Sequence, residues 1–270
     1  MNHTGKPDNS PRVIVRVVGG LGNQLFGYAA ARRLALINQA ELVIDDSTGF
    51  RRDYKYNRSY ALDGFKVQGR LATKAEKLEP FERFRRTMLK TWEGRKPFER
   101  RLYVGQKGKH FEEKLLKHKV YRLVFIEGVW PSEKYFSDYS EEIRRELEPK
   151  NIPLERDIEL IEKIDRRNSV ALHVRHFTAD GVVSHGNLDK GYYERACRRI
   201  RDAYPDAHFF VFSDRPDESR SVIPLGREQM TLVYHDGGSM TPQRDLWLMS
   251  RCNHAIIANS TFSWWAAWLG

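Results

Sequence analysis

Three short apolar runs in the second half of the chain each end in residues able to handle a phosphorylated ligand. Arg175 closes the run Ser169 to Val174, in the order His173-Val174-Arg175, and His173 and Arg175 are both candidate donor-binding residues. The permanently charged, fork-shaped guanidinium of Arg175 pairs phosphate oxygens bidentately and can neutralise the charge on a departing diphosphate. Ser213 and Asp214 close the run His208 to Phe212, where a carboxylate can accept from the adjacent ring N–H groups of a base such as guanine. Asn259, Ser260, Thr261 and Ser263 follow the run Ala255 to Ala258 and open an aromatic helix, whose first N–H groups and dipole favour a phosphate. The same Ser260, Thr261 and Ser263 suit turn and N-cap duties, and Asp214 ahead of Pro216 suits an ordinary turn, so both readings stay open. Asp180 is the first carboxylate after Arg175 and the candidate general base. Neither Asp45-Asp46 nor Asp214-Arg215-Pro216-Asp217 has D-x-D spacing, and the histidines do not cluster, so no metal or other cofactor is expected.

Such residues need a sheet to present them. From Ser169 onward strands and helices alternate: strands at Ser169 to Val174, His208 to Phe212, Thr231 to Tyr234 and Ala255 to Ala258, and helices at Tyr192 to Tyr204, after Pro216, at Gln243 to Cys252 and from Ser263. This alternation predicts a parallel sheet covered on both faces. The chain opens in the same way, with a strand at Arg12 to Val18, a glycine turn, a helix at Asn23 to Asn38 and a strand at Leu42 to Ile44. A dinucleotide fingerprint, G-x-G-x-x-G, fails there because Leu25 occupies the third glycine position. Asp45 and Asp46 lie at the distance of a ribose-binding acid, which keeps a nicotinamide or flavin enzyme as a remote alternative. Gly20 and Gly22 let the backbone approach a ligand, and the amides of Asn23 and Gln24 suit sugar hydroxyls. The middle is less regular. A hairpin or short strand is predicted over Tyr54 to Val67, a basic helix over Lys74 to Trp92, a strand over Val120 to Val129, and helices over Tyr139 to Leu147 and Ile158 to Ile164. Trp130, Tyr135 and Phe136 read as core rather than as sugar platforms.

At 270 residues the chain is long enough for two domains. We expect a disordered tail at 1–11, an acceptor-side domain at 12–160 and a donor domain at 161–270, with the seam between about 150 and 168. No run approaches the ~20 apolar residues of a membrane span, and the amino terminus has no apolar signal core. Cys197 and Cys252, both expected inside helices, form neither a disulfide framework nor a metal site, so a reducing cytoplasm is expected. The net charge of +10 favours anionic partners: a nucleotide sugar, a membrane surface or nucleic acid. No nucleic-acid docking motif accompanies it, which leaves a basic binding module as the remote rival and no nucleic-acid partner expected. Much of the excess lies between Lys66 and Arg122, either as a solvated helical face or as a patch held peripherally at the inner face of a membrane.

The wording of four segments is more specific than their chemistry. GGLGNQLFGYAAARRLA near the start, GVWPSEKYF at 128–136, HGNLDKGYYERA at 185–196 and NSTFSWWAAWL at the end resemble the motifs of the α-1,2-fucosyltransferases, glycosyltransferase family 11. The resemblance spans residues 12–269. It implies a GT-B-like α/β fold of two Rossmann-like halves with a cleft between them, and an inverting transfer of L-fucose from GDP-fucose to the 2-hydroxyl of a galactoside. Donor and glycan acceptor are then the partners, and oligomeric state is left open. Arg175 matches the first arginine of the family's H-x-R-R-x-D motif, but His176 stands where the second is expected, and Arg215 stands where members carry a second aspartate. Those departures raise an alternative, a same-fold transferase with another donor or impaired activity. Members also continue past the terminal aromatic helix, which raises a donor domain cut short at its end, while Gly270 equally suits a C′ cap at a natural stop.

Overall fold

The computed structural model describes residues 10–108, 110–150, 155–176, 178–179, 182–183, 186–234 and 242–270. Most of the tail expected at 1–11 lies outside them; at its end the Pro11 carbonyl accepts from Glu41 N–H at 2.8 Å. The chain divides into two compact units, Met1–Glu148 and Pro149–Gly270. The division precedes the expected 160 because Asp157, just ahead of the helix at 158, is buried and gripped by Arg244 through bonds of 2.8 and 2.5 Å. That grip fastens the segment to the second unit.

The first unit runs β1 (Arg12–Arg16), α1 (Leu21–Ile37), β2 (Glu41–Asp45), β3 (Arg70–Leu71), α2 (Glu82–Glu93), β4 (Tyr103–Gly105), β5 (Leu123–Glu127) and α3 (Ser140–Glu146). Its five strands form one parallel sheet in the order β3-β2-β1-β5-β4. Ile14 of β1 registers with Val43 and Phe125, and these β-branched and aromatic residues are buried. Ala29, Ala30 and Ala31 let α1 approach the sheet closely and are buried with it. Trp130, Tyr135 and Phe136 are core, as their size suggested.

Several local expectations are corrected. Tyr54 to Val67 forms no strand; Leu62 and Phe65 are buried anchors without alternation around them. The basic helix starts at Glu82 rather than Lys74, because Pro80 lacks an N–H and restricts the residue before it. The short edge strands β3 and β4, of two and three residues, show too little of a period-2 pattern to be read in advance. Cys252 lies just past its helix rather than within it, and Cys197 is buried in one.

The second unit runs α4 (Ile158–Asp165), β6 (Ser169–Val174), β7 (Thr178–Ala179), β8 (Val182–Val183), α5 (Lys190–Ala203), β9 (His208–Ser213), α6 (Pro216–Ser219), β10 (Met230–Leu232), α7 (Pro242–Ser250), β11 (His254–Ile256) and α8 (Thr261–Leu269). Its main sheet is parallel, in the order β10-β9-β6-β11, and β7 pairs antiparallel with β8. Every residue of β6 is buried, as a central strand covered on both faces requires. From β6 the chain steps outward through β9 to β10 and then returns to β6's other side as β11. The strand order therefore reverses between β6 and β11, and open α/β sheets bind ligands outside the carboxyl ends of the strands at that switch point. The first sheet reverses likewise between β1 and β5.

Candidate functional site

Register places the candidate residues of the second unit at one edge. His173 pairs with Phe212, Val174 with Ser213, and Leu172 with Ile256, so Arg175, Asp214 and the turn after β11 all emerge at the carboxyl ends of adjacent strands. Two tyrosines of α5 fix this edge. Tyr192 donates its hydroxyl to the Ile257 carbonyl at 2.7 Å and Tyr193 donates to the His173 carbonyl at 3.2 Å, tethering the ends of β11 and β6 to one helix. Asp189 caps that helix by accepting from Tyr192 N–H at 2.8 Å. Sequence reasoning assigned these tyrosines no role, although an adjacent pair behind an N-capping aspartate was a visible signal.

Arg175 and Asp214 meet at 3.1 Å, each about one-third exposed, and the other carboxylate oxygen of Asp214 accepts from His176 N–H at 3.0 Å. Asp214 thus holds Arg175 and the start of the following loop. It keeps lone pairs for a ligand, but a base approaching it competes with an ion pair already formed. Ser213 is buried, and its hydroxyl accepts from Arg215 N–H at 3.0 Å, shaping the turn. Arg215 pairs with Glu218 at 3.1 Å.

The turn after β11 separates into structural and presented residues. Ser260 is the N-cap of α8, accepting from Phe262 N–H at 3.3 Å. Ser263 is fully buried; its hydroxyl accepts from Ala258 N–H at 3.2 Å and lies 3.3 Å from the Ser260 carbonyl, so it braces the turn and faces no ligand. Asn259 is exposed and Thr261 half-buried at the start of α8. The ring of Phe262 lies 5.6 Å from that of His173, which brings the first turn of α8 against the end of β6. Asp180, the candidate base, lies outside the described residues.

In the first unit the glycine turn follows β1. Gly19 has φ +75°, and a Cβ there would meet Asn23 Nδ2 at 2.8 Å, so only glycine fits. At Gly20 an added Cβ would meet only Arg58 Nε, at 3.9 Å, which leaves open backbone beside a guanidinium that the sequence did not single out. Gly22 is buried within α1, and Asn23 is half-buried at its start. Gln24 corrects its expected role. It is buried and spends both amide protons on the Gly19 and Ser59 carbonyls at 2.9 Å while accepting from Ala61 N–H at 3.0 Å, so it staples a loop and offers no donor to a sugar. Asp45 is likewise no ribose ligand. It is fully buried and accepts from Thr48 Oγ1 at 2.5 Å, Thr48 N–H at 3.0 Å and Arg86 at 2.6 Å, while Asp46 pairs with Lys77 at 2.6 Å. With the acid sequestered and the third glycine absent, the nicotinamide or flavin alternative loses its support.

A family model described as Glycosyl transferase family 11 matches residues 12–270. The chain belongs to that family. Among curated relatives, an alpha-1,2-colitosyltransferase of Escherichia coli is 28% identical, covering 95% of this chain and 87% of the relative. The O-antigen biosynthesis glycosyltransferase WbnK of Escherichia coli is 30% identical, covering 93% of this chain and 88% of the relative. Among solved structures, fucosyltransferase NodZ from Bradyrhizobium superposes with a TM-score of 0.54 at 18% identity, covering 95% of this chain and 92% of the other. That likeness gives the fold, the GT-B-like α/β architecture with parallel sheets.

Within this family 11 chain, His173 and His176 differ sharply. His176 Nε2 lies 3.3 Å from Ser219 Oγ at the base of α6, so the position that departs from the family motif is used to hold a loop. His173 is buried, and its Nδ1 has no hydrogen-bond partner. Burial, aided by the nearby charge of Arg175, pushes its pKa from 6.5 down to about 4, so the imidazole is neutral at pH 7 and adds no positive charge to the site. The linkage has a definite sign. Above pH 6.5 neither state binds the proton; below it the unfolded chain takes up a proton that the folded chain refuses until about pH 4. Stability should fall through that window by on the order of 3 kcal/mol. Denaturant titrations at stepped pH should show the decline, and His173→Gln should flatten it; an equally steep decline in the variant assigns it to other groups.

Proposed function

We propose that this family 11 member is an inverting transferase that moves L-fucose from GDP-fucose to the 2-hydroxyl of a galactoside. The observation that carries the proposal is the convergence of Arg175, Asp214 and the first turn of α8 on one switch point. In support, NodZ is described as an alpha-1,6-fucosyltransferase soaked with GDP-fucose, and the colitosyltransferase is described as forming an alpha-1,2 linkage. In the proposed step the acceptor oxygen attacks the anomeric carbon as the bond from that carbon to the phosphate oxygen breaks. The departing GDP keeps the electron pair, and the acceptor proton passes to a base, Asp180 or water. Arg175 and the N–H groups of α8 stabilise charge that grows on the diphosphate, where it is worth most. Asp214 orients Arg175, and Asn259 and Thr261 line the turn.

A second reading follows from the colitosyltransferase relative. Colitose is fucose without its 3-hydroxyl, and a site that hydrogen-bonds this hydroxyl rejects the deoxy sugar by about 10⁴-fold, whereas one that does not discriminates little. Incubation with GDP-fucose and GDP-colitose in parallel, over a panel of galactosides, should give an α-1,2 linkage by NMR with GDP-fucose preferred. Preference for GDP-colitose selects the second reading, and a product linked elsewhere removes the 2-hydroxyl. Transfer is also proposed to be metal-independent, since D-x-D spacing is absent and the proposed reaction assigns the charge of the leaving group to Arg175 and the N–H groups of α8. Activity should survive EDTA unchanged; an absolute need for Mn²⁺ or Mg²⁺ would show that the diphosphate is held differently.

A further inference from the structure

Helix α2 is inside out. Its inward face carries the buried Arg86 and Glu93, with half-buried Leu89 packed against the cluster around Ile14 and Val43. Arg86 is bound to Asp45 and Thr48 of the β2 edge, and Glu93 accepts from Lys96 and from Leu102 N–H, both at 2.7 Å. Its outward face carries Phe84, Met88 and Trp92, which are 66%, 45% and 63% exposed. A spacing of four puts the three on one stripe. Phe81, 74% exposed, extends the stripe past the helix start, held at φ +69°, a conformation that favours glycine. A contiguous exposed apolar stripe of this kind marks a surface that something covers.

Charge decides what covers it. Residues 81–101 hold eight basic and three acidic residues. Arg83, Arg85 and Arg95 are exposed around the stripe, and Lys90 and Lys96, also exposed, are paired with Glu127 and Glu93. A second copy docking by the same face would press this basic belt against itself. A nucleic-acid duplex would meet the belt with its phosphates but leave Phe84, Met88 and Trp92 uncovered. We infer that α2 lies on an anionic lipid surface, with the aromatic rings in the boundary between headgroups and acyl chains and the guanidinium and ammonium groups among the headgroup phosphates. Among the described residues no helix is long and apolar enough to cross a membrane. The attachment requires nothing of the donor site and stands apart from the transfer reaction.

The test is flotation of the full chain with vesicles of phosphatidylcholine alone and of phosphatidylcholine mixed with phosphatidylglycerol. The wild type should bind the mixed vesicles, release them at high salt and hardly bind the neutral ones. The triple variant Phe84→Ser, Met88→Ser, Trp92→Ser should lose about tenfold or more in partitioning, and Arg83→Gln with Arg85→Gln should lose the preference for anionic vesicles. Ile158→Ser, an exposed apolar side chain of the other unit, should change nothing. Brominated lipid should quench wild-type tryptophan fluorescence more than that of Trp92→Phe, a variant conservative enough to keep the fold. Wild-type indifference to the mixed vesicles, full binding by the triple variant, or equal quenching in Trp92→Phe overturns the inference. So does a wild-type dimer that the triple variant converts to monomer without any vesicle binding.

Discussion

Arg175→Ala should lower turnover of the transfer reaction by about two to three orders of magnitude while leaving the fold intact. The fold survives because Arg175 pairs with Asp214 at the protein surface, with both side chains about one-third exposed, and such pairs contribute at most about 1 kcal/mol. In the proposed reaction turnover does not survive, because there the guanidinium meets a diphosphate whose charge increases as the glycosyl bond breaks. Interactions that strengthen toward the transition state appear in kcat, and those made equally to bound substrate appear in KM. Arg175→Lys should recover part of the loss, restoring a charge without the bidentate fork. Single-turnover rates with a nucleotide-sugar donor measure both. A variant as fast as wild type would remove Arg175 from the chemistry and leave it a surface ion pair.

Arg86→Met should destabilise the first unit by about 3 to 5 kcal/mol. Asp45 is fully buried at the end of β2, and Arg86 supplies its charge partner at 2.6 Å. Removing the guanidinium leaves an ionised carboxylate in the interior with only hydroxyl and N–H donors from its own turn. The thermal midpoint should fall by on the order of 10 °C. Asp45→Asn in the same chain should return much of the loss, because the uncompensated charge is gone. A single Arg86→Met variant as stable as wild type would show that the pair contributes little.

The parts of this molecule legible in its sequence are those where one force dominates. β6 runs from Ser169 to Val174 as its apolar pattern predicts, because a central parallel strand is buried on both faces and shows as an unbroken run. β3 and β4 were missed, since two or three residues at a sheet edge carry no period. α2 was misplaced at its start by Pro80, and its orientation was the opposite of what its pattern implies: apolar stripes normally turn inward, but the Arg86 to Asp45 pair anchors the polar side. At the site, residue types gave location and not role. Gln24, Ser260 and Ser263 all have polar groups suited to a ligand, and each spends them on nearby backbone, a choice that depends on which loop folds beside them. The position of Arg175 at the carboxyl end of β6 follows from the strand's apolar run, and Asp214 emerges as its ion-pair partner only when β6 and β9 are paired.

Calorimetric titration of GDP and of guanosine into the wild type and Arg175→Ala tests the central claim most directly, because it needs no acceptor and no knowledge of the sugar. A site built on a guanidinium and a helix N-terminus binds the diphosphate first. GDP should therefore bind the wild type at one site per chain and guanosine hardly at all, and Arg175→Ala should weaken GDP by roughly tenfold to a hundredfold through loss of a charge-assisted contact. Guanosine binding as tightly as GDP, or GDP binding the variant as tightly as the wild type, would contradict a donor site at the switch point between β6 and β11.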